Sequence, residues 1–125
     1  MEKLEFIYQA KRDTCKIILK GEINLKRICN LYREIFSNKL VPVSCKRFLL
    51  VDEGDMELSA QLNYKFIDEL IAQYGERLKG CRVAICLSDP RIYAIVFNLK
   101  LKYPFPVHRP FACRKDAYEW LERPF

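Results

Sequence analysis

Three acids and a fourth close behind stand in Asp52-Glu53-Gly54-Asp55-Met56-Glu57, directly after the apolar run Phe48-Leu49-Leu50-Val51. Carboxylate oxygens grouped at a strand end are ligands that Mg²⁺ or Ca²⁺ accept. The ligand series of an EF-hand is absent, so the segment is expected to be solvated acid, with no metal and no cofactor assigned. The same charges suit a basic partner surface, which makes Asp52, Glu53 and Asp55 candidate contact residues. His108 is the sole histidine, and its ordinary pKa would let it serve as a general base. A catalytic arrangement also needs a nucleophile and an orienting group. Cys113 follows His108 at a spacing with no recognised geometry, so no catalytic residue is assigned.

A second group mixes aromatics with lysines: Tyr93, Phe97, Lys100, Lys102 and Tyr103. Tyr93 and Phe97 lie four residues apart, on one face of a helix. They are expected either to pack under the sheet or to line an apolar groove beside the proline-rich stretch Pro104–Pro110. Such a groove would take an acyl chain, a peptide or a second subunit, and the lysines at its mouth would suit an anionic headgroup. Several of the six cysteines, Cys15, Cys29, Cys45, Cys81, Cys86 and Cys113, occupy apolar strand positions, and buried thiols are expected. Cys81 and Cys86 differ by an odd offset on one strand, so they face opposite ways and should not share a zinc ion. With four glycines, none in a phosphate-binding motif, nucleotide binding has no support.

Composition sets the limits within which these residues act. A chain of 125 residues with 50% hydrophobic content is one domain with room for a core. The net charge of +6 is spread along the chain in short pairs, which argues against a nucleic-acid surface. No apolar stretch reaches the roughly 20 residues that span a bilayer. The opening MEKLEFIYQAKRD has no apolar signal-peptide region, so a cytoplasmic location is expected.

The elements that position these groups follow from periodicity. Leu4, Phe6, Tyr8 and Ala10 alternate with Glu5, Ile7 and Gln9, and Cys15, Ile17 and Leu19 repeat the pattern after a polar joint, predicting a hairpin. From Asn24, a candidate N-cap, Leu25, Ile28, Cys29, Leu31, Tyr32, Ile35 and Phe36 recur at helical spacing. Phe48–Val51 predicts an interior strand. Ser59 is expected to cap a helix running to about Lys79 with Leu62, Phe66, Ile67, Leu70, Ile71, Tyr74 and Leu78 inward, and Gly80 to end it. Cys81–Leu87 predicts the next strand. Ser88 or Asp89 caps a helix with Pro90 in its first turn, and Ile92, Tyr93, Val96, Phe97 and Leu99 form its apolar side. The prolines around Phe105, Val107 and Phe111 confine a last strand to a sheet edge, and Ala117–Leu121 predicts a closing helix. The order β-β-α-β-α-β-α-β-α predicts a single α/β domain over residues 1–125. Its sheet is five-stranded, mixed but mostly parallel, with an N-terminal hairpin and about four helices.

This pattern resembles the STAS domain superfamily, and within it the SpoIIAA-like branch. The residues that carry the resemblance are the opening hairpin, Gly21-Glu22-Ile23 and Leu49-Leu50-Val51-Asp52. Gly80-Cys81-Arg82-Val83-Ala84-Ile85, the Asp89-Pro90 helix start and Asp116-Ala117-Tyr118-Glu119-Trp120-Leu121 complete it. Anti-sigma-factor antagonists of the superfamily carry a phosphorylatable serine after the third strand. Here residues 53–58 hold no hydroxyl, and Ser59 is displaced and fits a helix cap. A response-regulator receiver fits less well, because the first strand ends in Gln9-Ala10-Lys11 instead of acids and a hairpin opens the chain. The resemblance implies a small cytoplasmic protein that works by binding.

Three functions follow as expectations. The first is a non-enzymatic interaction or regulatory domain, homodimeric or bound to a protein partner, using the loop after Asp52 and the helix around 90–101. The second is a carrier or sensor of a small apolar or anionic, lipid-like ligand. The third is an enzyme pairing His108 with Asp52, Glu53 or Asp55, which requires hydrogen-bond reach between them.

Overall fold

The computed structural model describes residues 3–21, 23–53, 56–57 and 64–125. Alternation in the first twenty residues produces β1 (Lys3–Gln9) and β2 (Thr14–Lys20), paired antiparallel with Lys3 opposite Lys20 and Gln9 opposite Thr14. The joint between them is held by Tyr8, whose hydroxyl donates to Asp13 Oδ1 at 2.6 Å. Next come a two-residue strand β3 (Ile23–Asn24) and helix α1 (Leu25–Ser37). Asn24 caps α1 as expected, its side chain accepting from Arg27 N at 3.0 Å.

Strand β4 (Arg47–Asp52) runs parallel to β2, with Leu19 level with Asp52. A second two-residue strand, β5 (Met56–Glu57), pairs parallel with β3. Helix α2 (Lys65–Leu78) then leads to β6 (Arg82–Cys86). Ser59 and Leu62, assigned to the start of α2, lie outside the described residues, as do Gly54 and Asp55. Tyr64 at the N-cap offers no side-chain hydrogen bond. Helical geometry breaks at Tyr74 (φ −126°, ψ 25°), a residue that periodicity alone places in an unbroken stripe. The C-terminal end matches expectation: Gly80 takes φ +78°, the left-handed conformation in which glycine ends helices.

Helix α3 (Pro90–Lys102) begins with Asp89 as N-cap, accepting from Arg91 N at 2.9 Å, and Pro90 sits in its first turn. Strand β7 (Val107–Phe111) and helix α4 (Arg114–Leu121) complete the chain. The main sheet has the order β1-β2-β4-β6-β7. Only the opening hairpin is antiparallel, and the proline-bearing β7 occupies an edge. The five-stranded mixed sheet with four helices is the architecture the periodicity predicts.

Alternation along the strands divides the interior in two. Cys15, Ile17, Leu19, Phe48, Leu50, Val83 and Ile85 pack against α1, α2 and α3. Leu49, Val51, Ala84, Cys86 and Phe111 face the other way, onto Ala117 and Leu121 of α4. Cys81 and Cys86 therefore do fall on opposite faces. An aromatic cluster of Tyr32, Phe36, Phe48 and Tyr74 anchors the larger side, with ring centroids 5.3–6.1 Å apart. Arg77 crosses this cluster and donates to the carbonyls of Cys45 (2.8 Å) and Pro42 (3.2 Å), fixing the loop that feeds β4.

Candidate functional site

The structure puts the expected contact residues in three different places. Asp52 ends β4 half-buried. Glu53 is exposed and ion-paired to Arg114 at 3.2 Å, while its N–H extends the ladder by donating to Leu19 O at 2.8 Å. The β3–β5 bridge sets Glu57 level with Asn24, the α1 cap. Asp55 lies outside the described residues. Among the described residues no three His, Cys, Asp or Glu side chains are placed to hold a metal ion.

Helix α3 shows two faces. Ile92, Val96 and Leu99 are buried, while Tyr93, Phe97 and Leu101 are 39%, 47% and 74% exposed. Tyr93 and Phe97 therefore do not pack beneath the sheet. With Leu101 they make an outward stripe at four-residue spacing. Lys100 lies 5.4 Å from the Phe97 ring, and Lys102 lies 4.8 Å from the Tyr64 ring. Tyr103 requires a correction. It was grouped with this surface but is 8% exposed, and its hydroxyl donates to Asp68 Oδ1 at 2.6 Å. Burial and the neighbouring carboxylate push its pKa well up. The chain turns inward at the end of α3, where Tyr103 is the C-cap in extended conformation.

His108 is on the sheet edge, in strand β7, where the sequence places it. Its side chain faces the core. The register aligns it with Val83 and, through Val83, with Phe48. Asp52 is thus two strands across and four residues along, roughly 16 Å away by strand geometry. The pairing of His108 with Asp52 or Glu53 that general acid–base chemistry would need is not assembled.

The environment of His108 is instead an apolar cavity of about 50 Å³. Its walls come from α1 (Leu25, Ile28, Cys29), α2 (Ile67, Leu70, Leu78), and Leu50, Ile85 and Leu99. Tyr32 also reaches it. Tyr32 is 6% exposed, and its hydroxyl has no hydrogen-bond partner among the described residues; nor does His108 Nδ1. These two orphan polar atoms belong to residues lining the same cavity. Burial drives the His108 pKa down to about 4, against a smaller opposing pull from the Pro106 backbone. Burial likewise pushes Tyr32 well above its ordinary value and Cys29 up to about 11. All three are neutral at pH 7. Lys100 and Lys102 are not among the residues lining this cavity.

Sequence reasoning placed Tyr32 in the apolar stripe of α1 and His108 at an edge without connecting them. One signal was present. Strict alternation in β7 puts His108 on the same side as Val83 and Ile85, hence among helices.

Among the described residues, a five-stranded mixed sheet opened by an antiparallel hairpin carries three helices on one face and one on the other, which is a SpoIIAA-like fold. A similar solved structure is an uncharacterized protein from the DUF3478 family with a SpoIIAA-like fold, from Shewanella loihica PV-4. It is 16% identical over 97% of this chain and 95% of that one, with a TM-score of 0.64. No protein-family model matches the sequence, and neither does any curated protein. No helix among the described residues is long and apolar enough to cross a membrane.

Proposed function

We propose that the protein is a non-enzymatic interaction domain that pairs with a second copy of itself through the outer face of α3. The observation that carries this reading is the exposed stripe of Tyr93, Phe97 and Leu101. Apolar side chains scattered singly over a surface need no explanation, but a contiguous row marks an interaction site.

The spacing of the row favours a twofold pairing. Phe97 lies four residues from both Tyr93 and Leu101. Two α3 helices crossing antiparallel at Phe97 match Tyr93 of one copy to Leu101 of the other, which is the self-complementarity a C₂ interface demands. The same arrangement sets opposite helix poles together, bringing the end that carries Asp89 toward the partner end that carries Lys100 and Lys102. A helix of 13 residues is about 20 Å long. Its single face covers less than the roughly 800 Å² per partner of a standard interface. The association is accordingly weak and concentration-dependent.

Sedimentation velocity over a concentration series tests this. The wild type is expected to shift from monomer to dimer, and Phe97→Asp to remain monomeric with an unchanged circular dichroism spectrum. A wild type that stays monomeric up to roughly 1 mM, where association would be worth only about 4 kcal/mol, refutes the proposal. So does a Phe97→Asp variant that dimerises equally well.

A further inference from the structure

The cavity carries an inference independent of the α3 surface. We propose that it is a binding site for a small, uncharged, mostly apolar molecule with one hydroxyl- or amide-like end, held by the Tyr32 hydroxyl and His108 Nδ1.

Two buried polar atoms beside this cavity are unpaired among the described residues. Buried polar groups in folded proteins nearly always find partners, and each exception needs a reason. Here two exceptions belong to residues that line one cavity and come from different elements: Tyr32 from α1 and His108 from β7. Their capacities are complementary. A neutral imidazole has one donor and one acceptor nitrogen, and Nδ1 has no partner among the described residues. The Tyr32 hydroxyl has a proton to give. A hydroxyl or primary amide on the guest both donates and accepts, so it matches both groups.

The rest of the lining fixes the remaining chemistry. Every other lining residue is an aliphatic side chain, a proline or the Cys29 thiol. Among the described residues no charged side chain lines the cavity, so an ionic guest would be buried without a counter-charge from them, which is strongly unfavourable. Size fixes the rest. A cavity of about 50 Å³ holds a few probe spheres at about 10–15 Å³ each. That is room for a guest of a few heavy atoms.

Solution NMR of the methyl groups of Ile28, Ile67, Leu70, Ile85 and Leu99 provides the test, with two probes. Xenon reports whether the apolar space admits a guest, and 1-propanol whether the polar pair recognises one. The expected result is saturable, localised shifts with both. Tyr32→Phe and His108→Leu should each weaken 1-propanol at least fivefold while leaving xenon within twofold. Two variants at independent positions guard against one failing to fold, which the same spectra reveal. Saturable xenon shifts without saturable propanol shifts overturn polar recognition, as does propanol binding that neither variant weakens. Linear, unsaturable shifts with both probes overturn the cavity as a binding site and leave ordered water as its only guest.

Discussion

Lowering the pH should destabilise the fold through His108 specifically. Its pKa falls from 6.5 to about 4 on folding because burial opposes the imidazolium. Above pH 6.5 the ring is neutral in both folded and unfolded chains and contributes no pH dependence. Between 6.5 and about 4 the unfolded chain takes up the proton and the folded chain does not, so stability drops as pH drops. With each pH unit in that window worth about 1.36 kcal/mol, the loss reaches about 2 kcal/mol by pH 5. It approaches about 3 kcal/mol once the folded form is also protonated. The titratable groups sharing the cavity, Tyr32 and Cys29, stay neutral throughout this range, so neither offsets the effect. Urea denaturation at pH 7 and pH 5 measures it directly. The wild type should lose about 2 kcal/mol more than His108→Leu does over the same interval. The comparison removes the contribution of surface carboxylates, which both proteins share. Equal losses would refute the reasoning, as would a His108 NMR titration with a midpoint near 6.5 in the folded state.

Tyr103→Phe deletes the 2.6 Å hydrogen bond to Asp68 while keeping the ring buried. Because Asp68 is exposed and regains water, the expected cost is about 1 kcal/mol, read as a lower Tm, and an unchanged Tm would contradict it. Gly80→Ala is expected to cost about 1 kcal/mol. The φ of +78° at Gly80 is the whole cause, since an added Cβ meets nothing within 4 Å. A neutral or stabilising result there would mean that the chain does not hold this conformation in solution.

The fold was legible because each long element carries its own period. The caps at Asn24 and Asp89, the terminating Gly80 and the edge placement of the proline strand all follow from local chemistry. What escaped was short or tertiary. The β3–β5 bridge has two residues per strand, too few to show any alternation. The break at Tyr74 leaves the apolar spacing of α2 intact, so the pattern does not announce it. Tyr103 looked like surface because it follows two lysines. Only the inward turn of the chain after Lys102, with Asp68 waiting on α2, makes it a core residue.

The cavity was the least legible feature, and the reason is energetic. Tyr32 and His108 each fit an apolar pattern, one as a member of a helical stripe and the other as an inward strand position. Neither position signals that the polar atom will lack a partner, since that depends on packing between α1 and β7, which are far apart in sequence. An unsatisfied buried polar group costs about 1–3 kcal/mol, and domains have a total stability of only about 5–15 kcal/mol. Two such groups would consume a substantial part of that margin if the cavity were always empty. Phenylalanine in place of Tyr32 and leucine in place of His108 would keep the apolar pattern without the cost. A guest with a polar end is therefore called for by the unpaired hydroxyl and ring nitrogen, not by the size of the space.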